Sequence, residues 1–249
     1  MTCTVASREV LRISILIPRS LSSTVIGRYS GTQAACKSPH FQFGHMNSRP
    51  YNFSFTTGGL LIAESTVVAE VYERCGDWSE AARLISGDNL LQARTKSTAR
   101  KKLGEIRHRL QMLTPEQLNL LVSGGRTEQL AMLWLAVCKR YSFLHDFAQQ
   151  VVRELYLSMR THVTDLHCED FLDSQTAWHE EIEHLTTTTR RKVCTVALRM
   201  LREAEITTND GLIEPALLSH DVADVITADN RNWFLIFPVA ASDIPGAAA

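Results

Sequence analysis

The sequence predicts an all-α fold, a compact helical globule with two helix-turn-helix-like elements. Three observations carry that expectation. Apolar residues recur at spacings of three and four through most of the chain after residue 60. Helix caps and glycine stops punctuate those segments. No long run alternates in the manner of a half-buried strand. With 249 residues and 45% hydrophobic content, the chain has enough apolar mass for one sizeable core or two small ones.

From Leu60 to Arg74 the apolar positions Leu60, Ile62, Ala63, Val67, Val71 and Tyr72 line one face, and Gly76 supplies a stop. Asp77 then caps a short helix from Trp78 to Ile85, closed near Gly87. A third helix is expected from about Ser97 to Met112. Its Leu103, Ile106, Leu110 and Leu113 form a buried stripe. Thr114, Pro115 and Gln117 read as N-cap, first helical residue and capping-box partner of a brief helix that ends at Ser123-Gly124-Gly125. Two strongly apolar helices follow, from about Thr127 to Tyr141 and Phe143 to Thr161, and are expected to supply the core. The threonine run Thr186 to Thr189 opens a further amphipathic helix ending near Ala204. Gly211 to Ile213 reads as a short strand, Ser219 to Ile226 as the last helix, and Trp233 to Phe237 as a strand pairing with the first, a small C-terminal β-hairpin of winged-helix type. The expected organisation is an extension over residues 1–45, an N-terminal helical lobe over 46–161, and a C-terminal lobe over 162–249 with a flexible tail.

Charge is distributed unevenly. The formal net charge is −1, so bulk attraction to a polyanion is not available and any nucleic-acid site must be local. Residues 1–45 hold five basic side chains (Arg8, Arg12, Arg19, Arg28, Lys37) and one acid, Glu9, which leaves about −5 on the remainder. This Ser-rich, acid-poor start reads as a transit peptide, a flexible tail, or an extension ahead of a natural start at Met46. Residues 165–183 hold seven acids and no Lys or Arg, a surface that repels phosphate. The six cysteines lack the close pairing of a zinc or redox site and read as reduced, mostly buried thiols. No apolar run approaches the roughly 20 residues of a membrane span, and a cytoplasmic protein is expected.

Between Arg94 and Arg109 the balance reverses. Arg94, Lys96, Arg100, Lys101, Lys102, Arg107 and Arg109 face one acid, Glu105. The apolar stripe holds one side of this helix, so its cations project elsewhere and can meet duplex phosphates, with Thr98 beside them. A short helix, a turn and then the basic helix is helix-turn-helix order, although the turn is long. The second candidate is the helix opened by the threonine run, where Thr188, Thr189, Arg190, Arg191 and Lys192 gather at the positive end of a helix dipole.

Signatures of catalysis are missing: no phosphate-binding Gly-rich loop, nucleophile elbow or dinucleotide fingerprint occurs. A non-enzyme without cofactor is expected. His179 and His184 are five apart, about 140° around a helix, which argues against a shared metal and for a solvated acidic face. Trp78, Trp134, Trp178 and Trp233 are expected in the core.

An ordered set of residues carries a resemblance. It begins with Tyr51-Asn52-Phe53-Ser54-Phe55-Thr56-Thr57-Gly58-Gly59-Leu60-Leu61, followed by Glu64, Asp77-Trp78, Asn89, Arg94 and Thr98. It continues with Arg109-Leu110, Cys138-Lys139-Arg140-Tyr141, Asp146-Phe147, Leu185 with the threonines, Lys192 and Met200-Leu201. Over about Tyr51 to Pro238 the chain resembles the BrxA family of bacteriophage exclusion (BREX) systems. The resemblance implies an all-helical, non-catalytic protein with helix-turn-helix elements that binds double-stranded DNA beside a methyltransferase, an ATPase and other exclusion proteins. The alternative is an assembly adaptor whose charged faces dock those proteins without touching DNA.

Overall fold

Caps legible in the sequence become helix ends in the computed structural model, which describes residues 50–244. The expectations for residues 1–45 and for the last five residues lie outside the described part. Helix α1 (Ile62–Cys75) stops at Gly76, whose φ of 69° is the left-handed geometry that glycine adopts without strain. Helix α2 (Trp78–Gly87) starts on Asp77, whose carboxylate accepts from the Ser79 and Glu80 amides. Helix α3 (Lys96–Leu110) starts on Thr95, whose hydroxyl accepts from the Thr98 amide. These three helices pack on one another.

Helix α4 (Pro115–Ser123) carries the full capping box: Thr114 accepts from the Gln117 amide, and the Gln117 side chain accepts from the Thr114 amide. Removing the hydroxyl should destabilise the protein by about 1 kcal/mol. Urea unfolding of Thr114→Ala checks this, and an unchanged midpoint would show the box to be dispensable. Helix α5 (Arg126–Arg140) runs through the centre, with every residue from Leu130 to Cys138 buried. A helix that is apolar on all sides belongs inside the core. Helix α6 (Ser142–Phe147) continues through a π-helical turn (Ala148–Val152) into α7 (Arg153–Leu157).

Helices α8 (Asp165–Gln175) and α10 (Thr187–Glu203) pack together, with the single turn α9 (Glu180–Glu183) between them. Helix α11 (His220–Asp229) lies against α4 and α5. The expected hairpin is corrected. Trp233–Phe237 is no strand, because a 3-10 helix spans Arg231–Ile236, held by local bonds such as Trp233 N to Asn230 O at 3.0 Å. Its Ile236 carbonyl is taken by the buried Trp134 indole at 3.1 Å. The stretch at Gly211–Ile213 instead makes isolated β-bridges, Leu212 with His162 and Ile213 with Thr207.

The expected boundary between the two lobes lies at residue 161. Buried residues on both sides, including Phe143, Phe147, Phe171 and Leu172, belong to one hydrophobic cluster, and the Phe143 and Phe171 rings sit 5.7 Å apart. Residues 51–61 bind the two sides together. Tyr51 stacks on His179 with centroids 3.7 Å apart, donates its phenol to Asp146 at 2.9 Å and its amide to Glu181. Phe55 is fully buried against Tyr141 and Phe143. His179 is therefore buried, contrary to the solvated face expected for it, because the aromatic strap covers it. Trp134 is core, whereas Trp178 is 62% exposed at the end of α8. Cys138, Cys168 and Cys194 are buried free thiols and Cys75 is half-buried.

Candidate nucleic-acid interface

The core-facing stripe of α3 sets where its cations point. Leu103, Ile106 and Leu110 are buried; at 100° per residue Lys96, Arg107 and Arg100 share a narrow arc flanking Leu103, and Lys101 lies about 100° further round, on the side away from the core. Arg94, Lys96, Arg100 and Lys101 are exposed, Arg107 is half-buried, and none of the five has an ion-pair partner among the described residues. Unpaired cations gathered on one helix and its N-terminal approach repel each other, and a polyanion relieves that repulsion. Thr98 is exposed but shares a 2.9 Å hydroxyl contact with Thr95, so its side chain serves the cap. Within the outward face Gly104 leaves open space above its backbone.

Two members of the expected set do not belong to that face. Lys102 donates to Glu64 of α1 at 2.9 Å and is half-buried. Arg109 is 2% exposed and points inward: it donates to Glu105 at 2.9 Å and to the Gly59 carbonyl at 2.8 Å. Tyr141 donates to the same Glu105, and the Arg109 guanidinium lies 5.7 Å from its ring. Burial, and then the Glu105 carboxylate, push the Tyr141 phenol up, so it remains a donor. This buried cluster joins α3 to the strap and is structural.

The structure adds residues from outside α3. A cleft of about 480 Å³ runs between the strap and α3, lined by Ser54, Thr57, Arg100, Lys101 and His108 among others. Sequence spacing does not reveal Ser54 and Thr57 as neighbours of these cations, because the strap lies more than forty residues away along the chain.

On α10 the run of threonines divides by role. Thr186 is the N-cap, accepting from the Thr189 amide, and its hydroxyl meets that of Thr189 at 2.9 Å. Thr188, Arg191 and Lys192 are exposed. Arg190 is drawn sideways into an ion pair with Asp173 of α8 and is removed from the set. The exposed face continues through Thr195, Arg199 and Arg202, positions that the i, i+4, i+7 spacing from Thr188 could have marked. Among the described residues no cluster of His, Cys, Asp or Glu is arranged to hold a metal ion, and no helix is long and apolar enough to cross a membrane.

A family model described as BrxA matches residues 49–230. The chain is similar to the BREX protein BrxA of Escherichia coli O9:H4 (strain HS), at 26% identity over 147 residues, 59% of this chain and 69% of that protein. It is also similar to the BREX protein BrxA of Paramagnetospirillum magneticum (strain ATCC 700264 / AMB-1), at 26% identity over 110 residues. That match covers 44% of this chain and spans about half, 55%, of the relative. Among solved structures, an uncharacterized protein from Magnetospirillum magneticum has the same fold, with a TM-score of 0.66 at 19% identity, covering 76% of this chain and 98% of that one.

Proposed function

The chain belongs to the BrxA family, and from that membership we propose that it serves a BREX phage-defence system as a non-catalytic DNA-binding component. The observation that carries this reading is the cluster at α3, where Arg94 just before the helix and Lys96, Arg100, Lys101 and Arg107 on it stand without acidic partners among the described residues. Such a cluster suits the sugar-phosphate backbone rather than a particular base sequence, and the open surface at Gly104 lets a phosphate approach the helix closely. The protein would work in the cytoplasm beside the system's methyltransferase and ATPase.

Fluorescence anisotropy with a duplex of random sequence tests this. If all five cations neutralise phosphates, log affinity falls against log salt with a slope of about −4.5, roughly 500-fold between 50 and 200 mM salt. Replacing Arg100, Lys101 and Arg107 with Glu should weaken binding to every duplex and flatten the slope by about 2.7. Exposed charges contribute little to folding, so the melting temperature should hold. A variant that binds like the parent would overturn the reading.

The second reading, an assembly adaptor, has its own observation. On α8 the acids Asp165, Asp170 and Asp173 are exposed together with Leu166, 68% exposed, and Trp178 follows the helix. A mixed acidic and apolar face of this kind suits a basic protein partner. Loss of partner capture on changing Trp178 and Asp170, with DNA binding untouched, would favour it.

A further inference from the structure

We propose that α10 reads base sequence in the DNA major groove, while α3 holds the backbone. This inference rests on the DNA-binding reading above and adds to it a division of labour between the two helices. The first observation is the chemistry of the outer face of α10. Thr188, Arg191, Lys192, Thr195, Arg199 and Arg202 are all exposed, and at 100° per residue they fall within about 100° of arc. The opposite arc, with Val193, Val196, Ala197, Met200 and Leu201, is buried, so the helix cannot rotate to present another face. Arginine and threonine are suited to base edges: a guanidinium bridges the two acceptors of guanine, and threonine offers a hydroxyl and a methyl for the thymine methyl group.

The second observation is the order of the surrounding chain. A pairing segment at His162 precedes α8, α10 follows, and the chain then returns through Thr207 and Leu212–Ile213, which bridge each other and His162. Val163 N donates to Gly211 O at 3.0 Å and Ile213 N to Thr161 O at 2.6 Å, which ties the returning turn to the segment before α8. This is the arrangement of a winged helix-turn-helix, in which the second helix enters the groove. It is built from different segments than the hairpin expected near Trp233.

Neighbouring acids limit how DNA can approach. Asp173 holds Arg190, and Asp165 and Asp170 stand exposed on α8. Arg199 lies 3.6 Å from Glu203, which also accepts the Leu60 amide and is thereby fixed to the strap. Phosphates are repelled from the α8 flank, so productive contact is confined to the α10 ridge itself. From Thr188 to Arg202 the ridge is about 21 Å long, enough to pass about six base pairs.

The test is selection from a library of random 20-base-pair duplexes with the full chain, followed by affinity measurements. The expected result is an enriched motif of about four to six base pairs, bound at least ten-fold more tightly than the unselected pool. Changing Arg191, Thr195 and Arg199 to Ala should erase that preference while the affinity for unselected DNA falls less than three-fold. Changing Arg100 and Lys101 to Ala should lower affinity for all duplexes and keep the same motif. Thermal melting of both variants, matching the parent, shows that the effects are not those of unfolding. Binding without any enriched motif overturns the inference and leaves the backbone-binding function standing. Survival of the motif in the α10 variant also overturns it. Absence of binding to every duplex overturns both.

Discussion

Arg109→Ala should destabilise the protein by about 3–5 kcal/mol, the cost of removing one partner from a buried ion pair. The substitution strands the Glu105 carboxylate, which keeps only the Tyr141 phenol, and deprives the Gly59 carbonyl of its donor. The strap and α3 should loosen together. Below the new unfolding midpoint the variant should bind duplex DNA like the parent, because the guanidinium faces inward. The neighbouring Lys102→Ala is the control: its pair with Glu64 is half-exposed, and the expected loss is at most about 1 kcal/mol. Urea unfolding of the two variants side by side decides the matter. If Arg109→Ala costs no more than Lys102→Ala, the cluster is hydrated and the distinction between them fails.

Ile106→Ala should cost about 2–5 kcal/mol, since the side chain is fully buried between Leu103 and Leu110 on the core face of α3. The cavity opens where α3 meets α1 and α5, two of its packing neighbours. Calorimetry or urea unfolding measures the loss, and a variant as stable as the parent would mean that α3 packs against nothing. Because α3 also carries the proposed DNA face, reduced binding is expected only as the helix detaches. Binding and melting should therefore fail over the same temperature range.

Much of this protein is decided by local chemistry. Asp77, Thr95, Thr114, Thr186 and Ser219 each cap the helix that follows, because an oxygen there satisfies amides that have no partner within the helix. The stripe Leu103, Ile106 and Leu110 gives the buried face of α3 directly from its spacing. That spacing leaves all seven cations off the stripe and does not sort them further. The bare count of basic residues is less informative. Arg109 sits one residue before Leu110 on the edge of the buried arc, where spacing allows either an exposed or an enclosed side chain. What encloses it is the Gly59 carbonyl, fifty positions earlier in the chain. His179 is similarly covered by Tyr51, and Arg190 is turned aside by Asp173. The segment at Trp233 has strand-forming residues, yet its Ile236 carbonyl is bonded to the indole of Trp134 and its amides close local turns. The sequence by itself determined α2 to α5 and α10, with their caps, because caps and periodicity act within a few residues. Helix α8, whose buried Cys168, Phe171 and Leu172 stand among acids, and the inward face of α1, which is Val68, Ala69 and Val71, emerge only with packing. Only the tertiary structure decided which cations remain free to meet a phosphate, because ion pairing and burial depend on segments that folding alone brings together.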